Sequence, residues 1–159
     1  MSARKDALRQ AISADNAASL DLLKRLTPEQ WAHPVPSEED APWTARDVLV
    51  HLAISEAGHV GQITRCVAGE APVPDDFDLR RFNRSSIKKR PDKSPADLVA
   101  EIETAHRQML DLLEKVTDAD LDKTGRHARG DVLTAEQFFR RCAEHRRQHA
   151  EELKRAVNL

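Results

Sequence analysis

His145 and His149 stand four residues apart in a segment otherwise patterned as an amphipathic helix, and His51 stands near the start of a second such segment. Residues four apart lie one above the other on a helix face. Two imidazoles so placed can hold one metal ion from a single helix and leave a further position for a side chain on a neighbour. They fall in the stripe Phe138, Cys142, His145, His149, Leu153 and Ala156, at its middle, where leucine would be expected. Burying them without partners would cost on the order of 1–3 kcal/mol each. Hydrogen-bonded core histidines meet the same spacing, so the pair alone admits both a metal site and a structural role.

Other polar residues share these inward faces. Glu56 and His59 point into the stripe of the second segment, with His51 at its margin, and Asp15 and Ser19 interrupt the stripe of the first. A metal with an open coordination position in a partly polar pocket accounts for several of them at once. Glu56 and Asp15 then read as hydrogen-bond partners or edge residues rather than ligands. His59 and His106 read as hydrogen-bonded core histidines, and His33 and His127, in loops, as solvated. Cys66 and Cys142 read as small buried hydrophobes, although Cys142, one turn before His145, is within reach of a metal shell. Two enzyme patterns fail: Arg146 stands where His-Glu-x-x-His needs its glutamate, and Glu56–His59 is a single Glu-x-x-His where a di-iron bundle needs two.

Four helices must position these groups. The first is predicted over Ala3–Leu26, ended by Thr27-Pro28. A connection bearing Pro34, Pro36 and Pro42 leads to the second, which opens at Trp43-Thr44 with Thr44 and Asp47 as a capping pair and runs to Gly69. The third starts at Ser94-Pro95 and reaches Val116, and the fourth starts at Thr134, with Gln137 completing its cap, and ends near Ala156. Between the second and third lies the longest irregular stretch, Glu70–Pro95, with a basic cluster (Arg80, Arg81, Arg84, Lys88, Lys89, Arg90) and a short helix expected over Asp75–Asn83. No internal repeat is visible. Four amphipathic helices pack most simply as an all-α four-helix bundle, one domain over residues 1–159.

Composition narrows the partners. Charged residues make up 33% of the chain yet net charge is only −2, so neither nucleic acid nor an anionic membrane is favoured. No apolar run approaches the roughly 20 residues of a membrane span. The N-terminus lacks the apolar core of a signal peptide, and two lone cysteines are no disulfide framework, so a cytoplasmic protein is expected.

The run Trp43-Thr44-Ala45-Arg46-Asp47-Val48-Leu49-Val50-His51-Leu52 resembles the opening of the second helix in the DinB/YfiT-like superfamily of four-helix bundles. Glu144-His145-Arg146-Arg147-Gln148-His149 is similar to its His-x-x-x-His on the last helix, and Gly125–Leu133 to the segment before it. The resemblance implies a facial site of His51, His145 and His149 for a divalent metal, zinc or nickel. It further implies a thiol-dependent S-transferase or isomerase working with bacillithiol, mycothiol or glutathione on a small electrophile. Glu56 or His59 would accept a proton or orient a ligand, and a homodimer is expected. A metal-dependent hydrolase and a non-catalytic metal- or ligand-binding bundle are the alternatives. The pocket is expected to open toward the Glu70–Pro95 connection, whose arginines would attract carboxylates.

Overall fold

The computed structural model describes residues 2–36 and 42–159. In chain order the elements are α1 (Ala3–Arg25), α2 (Pro28–Trp31), β1 (Pro34–Val35), β2 (Trp43–Thr44), α3 (Ala45–Ala68), α4 (Leu79–Lys88), α5 (Pro95–Lys115), α6 (Asp118–Leu121), β3 (Thr124–Arg126), β4 (Val132–Thr134) and α7 (Ala135–Ala156). Residues 37–41 of the proline-bearing connection, and residue 1 of the expected domain, lie outside the described residues. The four long helices begin where side chains satisfy free backbone N–H groups. At α3, Thr44 N–H donates to Asp47 Oδ2 at 2.8 Å while the Thr44 hydroxyl accepts from Asp47 N–H. Ser94 with Asp97 and Thr134 with Gln137 repeat the reciprocal cap on α5 and α7. Gly69 ends α3 with φ of 78°, a left-handed conformation that a Cβ would strain.

Contacts fix the directions of the helices. Arg4 meets Glu136 and Asp15 meets Arg147, so α1 and α7 run parallel. Arg9 pairs with Glu114 and Lys24 with Glu103, so α5 runs against α1. His51 meets His145 while Glu56 meets Cys142, so α3 runs against α7. It follows that α3 and α5, which pack together, are parallel. The connection between them must therefore travel the length of the bundle, and within it α4 lies along α3. This helix begins four residues after the expected Asp75 and runs to Lys88, five beyond the expected Asn83; Asp78 caps it by accepting from Arg81 N–H at 2.9 Å. Among the described residues no helix is long and apolar enough to cross a membrane.

A repeat that the sequence hides is plain in the structure. Each half runs long helix, short capped helix, strand, strand, Thr-capped long helix, with Thr27 and Thr117, and Thr44 and Thr134, at matching places. Ala45 N–H donates to the His33 carbonyl and Ala135 N–H to that of Lys123, at 2.9 and 2.8 Å. The side chains differ so much that only backbone bonds and caps record the correspondence.

The core divides in two. One apolar cluster gathers Leu23, Trp31, Trp43, Leu49, Leu98 and Leu153, and the other Leu8, Ile12, Ile63, Met109, Phe138 and Phe139. Between them every long helix contributes a buried or half-buried polar residue: Asn16 and Ser19, Glu56 and His59, His106, and Arg146. Arg146 is 0% exposed. Its Nε donates to Glu56 Oε1 at 2.9 Å, its Nη2 to Glu56 Oε2 at 3.1 Å, and its Nη1 to Asn16 Oδ1. Removing one partner leaves an uncompensated buried charge. Arg146→Ala is therefore expected to cost about 3–5 kcal/mol, and the double replacement Glu56→Met/Arg146→Met much less than the sum of the single changes. Urea denaturation of the single and double variants measures both.

Candidate metal centre

The Trp-Thr-x-x-Asp run acts locally to aim His51. The Thr44–Asp47 cap starts α3, which sets the phase of a residue two turns on, and the buried Trp43 packs its ring against His51 at a centroid distance of 5.5 Å. From α7, His145 and His149 meet it. His145 Nε2 lies 3.1 Å from His51 Nε2 and 3.2 Å from His149 Nε2. One ligand atom from each of the three lies within 4.8 Å of those of the other two. The sequence-expected triad is thus brought together, half-buried, at the wall of a cleft.

The protonation states suit a shared cation. Burial, then the neighbouring imidazoles, pulls His51 down to about 3 and His145 well below the usual imidazole range. His149 Nδ1 lies 2.8 Å from Glu152 Oε2, and donating there leaves Nε2 as a lone pair facing the other rings. His145 Nε2 lies within hydrogen-bond distance of both other Nε2 atoms, and a neutral ring with one N–H cannot donate to both. Glu152 is the partner that sequence reading missed; its place one turn after His149 was the available signal.

Other positions depart from expectation. His145 and His149 flank the inward line of α7 instead of forming its middle, because Phe138, Cys142, Arg146, Ala150 and Leu153 take the centre. Arg146 went unread because an arginine at a core position is costly, and only its pairing with Glu56 makes the position tenable. Glu56 is spent on Arg146 and on the Cys142 thiol (3.2 Å) and does not line the cleft, so it is not placed to take a substrate proton. Burial pushes the Glu56 carboxyl up, against the pull of Arg146. Burial, with the Glu56 charge, pushes the Cys142 thiol well up too, so it stays a protonated donor rather than a metal ligand.

His127 is buried, not solvated. The β3–β4 connection folds it over α3, where its ring stacks on His59 at 5.5 Å and 27°. His59 Nδ1–H donates to the Ser55 carbonyl at 2.7 Å, the hydrogen bond expected of a core histidine. His127 Nδ1 accepts from Arg129 N–H at 3.2 Å, so its Nε2–H points at His59 Nε2, 3.4 Å away. His106 is buried as expected but has no partner at Nδ1, contrary to the hydrogen bond expected for it. His33 is exposed.

The cleft measures about 1270 Å³ and runs from Trp43 and the triad to Arg65. As expected, the connection after α3 forms one wall, with Val73, Pro74, Phe77 and Phe82. Of its basic cluster Arg80 lines the cleft, whereas Arg81 and Arg84 do not, and Arg90 pairs with Glu101.

A profile of the family described as "Mycothiol maleylpyruvate isomerase N-terminal domain" matches residues 12–151. The chain belongs to this family. Its fold is the DinB/YfiT-like four-helix bundle. No curated protein sequence matches it significantly. Among solved structures, the mycothiol-dependent maleylpyruvate isomerase superposes with a TM-score of 0.76 at 14% identity over 94% of this chain. This chain spans only 60% of that protein's length. YfiT from Bacillus subtilis, described as a probable metal-dependent hydrolase with an unusual four-helix bundle topology, gives 0.74 at 22% identity, covering 99% of this chain and 90% of YfiT. A DinB-like protein, YjoA, also from Bacillus subtilis, gives 0.61 at 15% identity over 96% of this chain and 90% of its own.

Burial holds His59, His106 and His127 each down to about 4, against an ordinary 6.5. The unfolded chain takes up protons at these rings below about pH 6.5, and the folded chain only near pH 4. Their contribution to stability is therefore intact above pH 6.5 and falls as pH drops toward 4. Denaturation midpoints of metal-free protein should decline through that window, and the slope should shrink in His106→Leu.

Proposed function

We propose that His51, His145 and His149 hold one divalent metal ion, zinc or nickel, and that the protein, a single domain over residues 1–159, joins a low-molecular-weight thiol to a small electrophile. The convergence of one ring nitrogen from each of the three histidines, all within 4.8 Å of one another, carries the reading. A divalent ion held by these three imidazoles would leave positions open for a thiol and would favour its thiolate form, the proton passing to solvent. The cleft supports a reaction between two molecules: about 1270 Å³ exceeds the roughly 300–1,000 Å³ of most single-ligand pockets. Membership of a family named for a mycothiol-dependent isomerase makes mycothiol the first thiol to test.

The chain's own residues act by placement. Glu152 fixes the tautomer and angle of His149. His59 has both nitrogens engaged, so it serves as a support for His145, whose ring lies 5.9 Å away, rather than as a proton acceptor. Glu56 holds α7 against α3 through Arg146. Hydrolysis is the rival reading, favoured by the likeness to YfiT, and it would use the same three imidazoles.

Zinc-loaded protein should consume an electrophile such as monobromobimane only when a thiol is present. Consumption without thiol, with release of a hydrolysis product, would favour the rival. His149→Ala should lose both zinc and this activity while keeping its helical circular dichroism, because the two apolar clusters do not involve the ligand. Glu152→Ala should weaken zinc affinity by about 10–100-fold, measured by chelator competition.

A further inference from the structure

We propose that the cleft has a second subsite at Gln62, which takes a neutral hydroxyl or amide group at the far end of an elongated thiol. The inference rests on the thiol reading above and names the class of thiol. His51, Ser55, Gly58, His59 and Gln62 all line the cleft, and their spacing places them on one face of α3. Gln62 follows His51 by eleven positions, about 16 Å along the helix axis. A ligand coordinated at the triad and touching Gln62 is therefore long.

Two independent observations mark this path. Gln62 is 8% exposed, its Oε1 is shielded and has no hydrogen-bond partner, and no bond ties its amide to any described residue. An unpartnered amide this buried is costly, and only its less shielded end, the Nε2 side, is open to a ligand or water that would complete it. Half a turn about the terminal torsion exchanges its oxygen and nitrogen without breaking a bond, so the amide can accept from or donate to the ligand. The second observation is Gly58, inside α3, where glycine weakens a helix. A Cβ there would meet nothing within 4 Å, so the missing side chain leaves the floor of the cleft open between the triad and Gln62.

The α3 wall around Gln62 offers a ligand no free charge. Arg65, one turn beyond Gln62, directs its guanidinium to the Pro72 carbonyl, with Nε at 2.8 Å. The ring nitrogens of His59 and His127 are occupied by each other and by backbone. Beyond Gly58, Gln62 is left as the group able to read a ligand on the α3 wall.

Calorimetric titration of zinc-loaded protein with N-acetylcysteine and with mycothiol, which extends a similar cysteinyl head by two hydroxyl-bearing rings, tests the proposal. Mycothiol should bind wild type at least about 10-fold more tightly. Gln62→Leu and Gly58→Leu should each remove most of that difference while leaving zinc content and N-acetylcysteine binding unchanged, which also shows that each variant is folded. Equal affinities in wild type, or a difference that survives either substitution, overturns the subsite alone. Failure of both thiols to bind overturns the thiol reading, and the subsite with it.

Discussion

The buried ion pair between Glu56 and Arg146 is the constraint on which the rest of the structure turns. Desolvating both groups offsets much of their attraction, so the pair is not chiefly a source of stability. Its effect is on register. A slide of α7 past α3 by one turn, about 5.4 Å, would strand a guanidinium and a carboxylate among apolar side chains. Arg146 adjoins His145 and precedes His149 by three residues, while Glu56 follows His51 by five, so the register that pairs the charges also brings the three imidazoles together. Asn16 ties α1 into the same layer.

Topology supplies the cleft. Because α3 and α5 run the same way, the chain between them must return along the bundle, and it does so beside the face of α3 that carries His51, Gly58 and Gln62. The second hairpin closes the opposite side with His127. The two halves repeat one plan, and the triad is assembled from the equivalent helices α3 and α7. One half brings a single histidine and a Trp-bearing strand, the other a histidine pair, so the site is asymmetric although its frame is repeated.

Legibility in the sequence followed physical range. The four long helices were readable because caps and apolar periodicity are local: Thr44 with Asp47, Ser94 with Asp97 and Thr134 with Gln137 each start a helix where expected. The triad was readable because the His145/His149 spacing and the run from Trp43 to His51 are local as well. Arg146 was not, since its burial depends on a carboxylate 90 residues away, and reading it as polar moved the inward line of α7 onto the histidines. His127 was hidden for a similar reason: a loop residue reads as solvated until the hairpin that bears it is seen lying over α3. The start of α4 was missed by four residues because an aspartate at 75 or at 78 can cap a helix, and the turn in which Phe77 N–H donates to the Pro74 carbonyl decides for Asp78.

X-ray absorption at the zinc edge of purified, zinc-loaded protein tests the central claim most directly. The account predicts one zinc per chain with three imidazole nitrogens at about 2.0–2.1 Å and the outer-shell scattering of histidine rings. A first shell of oxygen atoms without imidazole scattering, or a spectrum unchanged by His149→Ala, would contradict it.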